Sequence, residues 1–134
     1  MLASFPVRTG SRTSLVDVTR DVEAAVRELG IRNGAALIFV PHTTAAVTIN
    51  ESADPDVARD IDSKLSELVP DSASFRHAEG NSDAHVKSSM IGCSETVLVE
   101  DGRLVLGTWQ GIFFCEFDGP RSRTVYVGEV GGGG

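Results

Sequence analysis

Apolar and polar positions along the chain follow two periods in turn, and each change of period marks a change of element. Ala3–Arg8 and Ser14–Val18 carry short, β-branched or aromatic apolar residues interrupted by Thr-Gly-Ser-Arg, which predicts two strands joined by a turn. The period then lengthens. Val22, Ala25, Val26 and Leu29 recur at i, i+3, i+4 and i+7, the stripe of a helix capped by Thr19 and closed by Gly30 in the left-handed position. Ala35–Val40 is a continuous apolar run of strand length ending at Pro41, and Ala46–Asn50 resumes it, so His42 is expected at a strand end or bend. Asp54-Pro55 reads as the cap and first residue of a second helix. Val57, Ile61, Leu65 and Leu68 carry that helix to Pro70, with Asp56, Asp60 and Glu67 on its polar face.

No period is visible from Asp71 to Ser82, and Gly80-Asn81 suits a chain reversal. Asp83 is expected to cap a short helix running to Ile91 and closed by Gly92, with His85 in its first turn and Ser88 and Ser89 one turn later. Strand-like runs follow at Glu95–Glu100, Leu104–Leu106, Ile112–Phe117 and Thr124–Val130, with a hairpin signal at Asp101-Gly102 and a breaker at Asp118-Gly119-Pro120. Strand pairs on short turns, interrupted by helices, predict an α+β fold: a mostly antiparallel sheet or sandwich with two to three covering helices. Residues 1–130 are expected to form a single domain, and glycines 131–134 a flexible tail.

Composition narrows the partners. A net charge of −7 with no Lys/Arg cluster repels phosphate backbones, so no nucleic-acid partner is expected. No apolar run approaches the ~20 residues of a membrane span, and the N-terminus lacks the order of a signal peptide. A cytoplasmic protein with no membrane partner is the expectation, with Cys93 and Cys115 as two buried free thiols.

The three histidines lie in two polar clusters, PHTTAAVTINESADPD at 41–56 and HAEGNSDAH at 77–85. Histidine is the side chain that most readily changes between donor, acceptor and metal ligand near neutral pH. An extended HAEGNSDAH would hold His77 and His85 about 26 Å apart and a helix about 12 Å, so only a reversal at Gly80-Asn81 lets them converge. If it does, His42, His77 and His85 could ligate Zn²⁺, with Glu79 or Asp83 as orienting group or base. The alternative is a hydrogen-bonded loop in which each histidine satisfies backbone groups. Glu51, Asp54 and Asp56 either favour the positive end of the second helix or hold Mg²⁺ through water. Arg121 and Arg123 are either a solvated hairpin or a phosphate clamp, and Trp109 is expected in the core or an interface.

With these segments in view, the chain resembles the YjbQ-like family, often labelled secondary thiamine-phosphate synthase. The resemblance rests on HTTAAVTINESADPDVARD, HAEGNSDAHVKSS, LGTWQGIFFCEFDGPR and the first-helix DVT, together spanning about Val16 to Arg123. It implies a compact α+β protomer commonly assembled as a homotrimer. It also implies a site drawn from His42, Thr43, Asn50 and Glu51, from His77, Glu79, Asn81, Asp83 and His85, and from Gln110, Glu116, Asp118 and Arg121.

The label implies coupling of a thiazole phosphate to a pyrimidine pyrophosphate with release of pyrophosphate. His42, Glu79, Asp83 and His85 would then be catalytic, Glu51, Asp54 and Asp83 would hold Mg²⁺, and Arg121 with Ser88 would take phosphate oxygens. Thr43, Asn50, Asn81 and Gln110 would bind substrate. Two other classes stay open: a Zn²⁺-dependent hydrolase of a small phosphorylated metabolite with Glu79 as base, and a non-catalytic metabolite-binding protein.

Overall fold

Every second residue of β1 (Leu2–Arg8) is buried, and the same alternation recurs in β5 (Ser94–Glu100), so each strand gives one face to a core. The computed structural model describes residues 1–71, 75–76 and 80–131. In it β1 pairs with β8 (Ser122–Glu129), which pairs with β3 (Gly34–Phe39), then β5 and the short β6 (Arg103–Leu104). A second sheet has the order β2 (Ser14–Asp17), β7 (Gln110–Glu116), β4 (Ala45–Glu51). All pairings are antiparallel, as an α+β fold of this kind requires.

The two sheets face each other across the main core. Ala3, Phe5, Ile38, Val97, Val125 and Val127 meet Val47, Ile112 and Phe114 of the smaller sheet, and α1 (Thr19–Leu29) adds Val22, Ala25 and Val26. The other face of the smaller sheet carries Ala46, Cys115 and Phe117 against Leu65 of α2 (Pro55–Leu68) and Ala84 of α3 (Ser82–Ile91). β7 is therefore buried on both faces, which is why Ile112–Phe117 is a continuous apolar run and not an alternating one. The outer face of the five-stranded sheet has no described element upon it.

Four sequence expectations change at this level. The first two strands do not pair with each other but enter different sheets, as do β3 and β4. Thr19 is the first helical residue and not the cap: its N–H bonds Asp17 Oδ1 at 2.9 Å, while its own hydroxyl accepts the N–H of Ile112. Asp83 likewise lies inside α3, preceded by Asn81 at the cap position. Cys93 is exposed, whereas Cys115 is buried and burial pushes its thiol up to about 12. Gly30 does close α1 at φ 71°, and Asp54 caps α2 by accepting the N–H of Asp56. No described helix is long and apolar enough to cross a membrane.

Candidate functional site

Three connections between the sheets converge at one end of the sandwich. Thr9 lies at the exit from β1, Thr44 between β3 and β4, and Glu116 and Arg123 on either side of the turn from β7 to β8. All four are buried and bonded to one another. Glu116 Oε1 accepts the Thr9 hydroxyl at 2.7 Å and Arg123 Nε at 2.9 Å, and Oε2 accepts Arg123 Nη2 and the N–H groups of Phe117 and Asp118. Arg123 Nη2 also donates to Thr44 Oγ1 at 2.9 Å. Burial alone would raise the Glu116 pKa, but these donors and the Arg123 charge hold it below the ordinary carboxylate value.

His42 lies beside this network. β3 stops pairing with β8 at Phe39 and Tyr126, and Thr124, two residues earlier, faces Pro6 across β1. His42 Nε2 lies 3.0 Å from the Thr124 N and 3.2 Å from the Thr124 O, so the imidazole occupies the place of the missing strand. Burial first, and then the Arg123 charge, pull the His42 pKa below the ordinary histidine value.

His42 and Thr43 line a cavity of 540 Å³ whose far wall is α3, through His85, Ser88 and Ser89, and the junction Gly92-Cys93. The hydroxyls of that wall are already committed. Ser88 donates to the Thr43 carbonyl at 2.6 Å, and Ser89 to the His85 carbonyl at 2.9 Å. The structure thus brings His42, Thr43, His85 and Ser88 to one cavity, and adds Ser89 and Cys93. Cys93 gave no signal of this, having no partner at a recognisable spacing.

The other expected site residues divide between two further places. Asn81 donates to Asp118 Oδ2 at 3.0 Å, and Arg121 grips Asp118 through both its backbone oxygen and its carboxylate. Burial would raise Asp118, yet Asn81 and Arg121 hold its pKa down. Asp83 is buried between Arg12 at 3.0 Å and Lys87 at 3.6 Å. It ties α3 to the β1–β2 connection through Arg12. Asn50, Glu51 and Gln110 sit at the opposite end of β4 from Thr43, about 23 Å away at the rise of an extended strand.

Glu51, Asp54 and Asp83 are therefore not brought together, and the Mg²⁺ set that the resemblance implied does not fit: among the described residues no three His, Cys, Asp or Glu side chains could share an ion. His77 and Glu79 lie outside the described residues. Arg123 is neither a solvated hairpin residue nor a phosphate clamp but half of a buried ion pair. Trp109 is exposed and not part of the core.

An antiparallel two-sheet sandwich, backed by two helices and with a histidine-lined cavity where its sheets cross over, is the class these features define. The chain belongs to the family described as UPF0047 protein YjbQ-like, which it matches over residues 3–132. It is 54% identical to the UPF0047 protein YugU of Bacillus subtilis, covering 98% of this chain and all of that one. It is 53% identical to a UPF0047 protein of Methanocaldococcus jannaschii over 98% of this chain and 95% of that one. The fold matches the crystal structure of an uncharacterised YjbQ/UPF0047 protein of Clostridium acetobutylicum, with a TM-score of 0.93, 48% identity and coverage of 96% and 99%. A Sulfolobus solfataricus protein of unknown function matches with a TM-score of 0.90, 39% identity and coverage of 95% and 94%.

Proposed function

We propose that the protein is an enzyme of small-metabolite chemistry, working as a homotrimer, whose reacting centre is the cleft between His42 and His85. The reaction is coupling of a thiazole phosphate to a pyrimidine pyrophosphate, giving thiamine phosphate and pyrophosphate. The observation behind this reading is that two of the three histidines line one cavity large enough for a small metabolite. His85, on the first turn of α3, gives a proton to the pyrophosphate oxygen as its bond to the pyrimidine methylene breaks and the thiazole nitrogen forms the new C–N bond.

The test is direct. The full chain is incubated with the two substrates and the product is quantified by chromatography, for the wild type and for His85→Ala. Thiamine phosphate is expected from the wild type, with a rate lower by about 10²-fold or more in the variant, the usual contribution of a positioned proton-transfer group. Absence of product, or equal rates in the two proteins, would sink the reading.

A further inference from the structure

We propose that His42 serves the cleft as a fixed hydrogen-bond donor: its Nε2 lone pair is occupied by the Thr124 N–H, its proton sits on Nδ1, and the ligand group it meets is an acceptor, a carbonyl oxygen or an unprotonated ring nitrogen. This rests on the reading of the cleft as the ligand site and specifies what one wall of it recognises.

Both backbone groups of Thr124 lie within reach of Nε2, and one nitrogen can serve only one of them. If Nε2 carried a proton it would donate to the Thr124 oxygen at 3.2 Å, and the Thr124 amide hydrogen, aimed at the same nitrogen from 3.0 Å, would meet it head on. The amide hydrogen cannot leave. A buried N–H without an acceptor is also the rarer fault in proteins, whereas a carbonyl short of one bond is better tolerated. The shorter contact and the costlier group select the same tautomer. Nδ1 then has no bond to any described residue.

The opposite wall complements this. The hydrogens of Ser88 and Ser89 point at carbonyl oxygens, so both side chains turn lone pairs toward the cleft. A ligand edge that places an acceptor at His42 and a donor at α3 fits these walls. A metal ion at Nδ1 does not, because the ring nitrogen there bears hydrogen.

The tautomer is measurable on the full chain labelled with ¹⁵N-histidine, by long-range ¹H–¹⁵N correlation at neutral pH, with His42 assigned by the signal lost in His42→Gln. A protonated Nδ1 and a bare Nε2 are expected, unchanged on adding Zn²⁺ alone. A protonated Nε2, or Zn²⁺ taken up at His42 Nδ1, would overturn the proposal. Thr124→Pro removes the amide hydrogen, and in the folded variant the proton is expected to move to Nε2 and donate to the residue's carbonyl. An unmoved proton there would refute the assigned cause, and the wild-type spectrum decides the tautomer whether or not the variant folds. The spectrum needs no turnover, so a failed coupling assay leaves it standing. A reversed tautomer, in turn, leaves the coupling reaction open.

Discussion

Glu116 shows how much one buried carboxylate depends on its donors. Replacing Arg123 with Met leaves that charge buried and short of its cation, which typically costs about 3–5 kcal/mol. Urea denaturation at neutral pH measures the loss, and a difference below about 1 kcal/mol would show that the pair is not buried in solution. The same group sets an acid limb. Its folded pKa lies below the ordinary 4.5, so the folded chain binds fewer protons than the unfolded chain between the two values. The stability it contributes is complete above 4.5 and is lost as the pH falls through the folded value. Glu116→Gln should flatten this limb, read from denaturation midpoints at about pH 6 and about pH 3.5. His85→Ala and Leu65→Ala form a second pair. Leu65 is 8% exposed in the core beneath α2, and truncating it should cost about 2–5 kcal/mol, whereas His85 faces the cleft and its loss should leave the melting temperature nearly unchanged. Equal destabilisation by the two would make His85 structural.

At the scale of elements, what was legible in the sequence depended on how local the cause is. α1 and α2 follow from periodicity and from Gly30, Asp54 and Pro55, and the β5–β6 turn follows from Asp101-Gly102, both of which take positive φ. The sheet assignment was not legible, because a strand that stays in its sheet and a strand that crosses to the next present the same alternation. α3 shows a subtler limit. Asp83 has the chemistry of a cap, yet its partner is Arg12, 71 residues away, and no local pattern carries such a pairing. The turn from β7 to β8 has a similar hidden cause. A Cβ at Gly119 would lie 2.3 Å from the Ser11 carbonyl oxygen and 2.8 Å from Thr9 Oγ1, so the glycine of the Asp-Gly-Pro breaker is there to let two crossovers touch. Gly119→Ala should therefore cost about 1–3 kcal/mol, the usual penalty of overpacking against atoms that cannot yield. Thermal unfolding checks this, and an unchanged midpoint would mean that the two crossovers can separate freely.

For the whole molecule, the candidate site was legible as a set of residues but not as a place. The motifs gathered His42, Asn50, Asp83, Gln110 and Arg121 into one expectation, and the fold then places them in separate regions of the protomer: Asn50 and Gln110 at the far end of the β4–β7 pair, Asp83 on α3 and Arg121 in the turn before β8. Ile112–Phe117 is no surface strand, since β7 is the central strand of its sheet. A run of exposed apolar side chains lies instead on the outer face of the five-stranded sheet. There Phe39 pairs with Tyr126, Leu37 with Thr96 and Gly128, and Ala35 with Leu98, while the alternate residues of each strand fill the core. Leu98 is 63% exposed and Leu2 67%, on a continuous sheet face of the kind that self-association covers. The His42 crossover borders this face, because Phe39 ends β3 three residues before it. Self-association through the face would thus put the cleft near a protomer boundary. Light scattering at micromolar concentration should give the mass of a trimer, and Leu37→Lys with Leu98→Lys should reduce it to that of a folded monomer, since two buried lysines per protomer are costly to desolvate. A monomeric wild type would refute assembly altogether. A trimer unmoved by the double variant would place the interface on another face and detach the cleft from it.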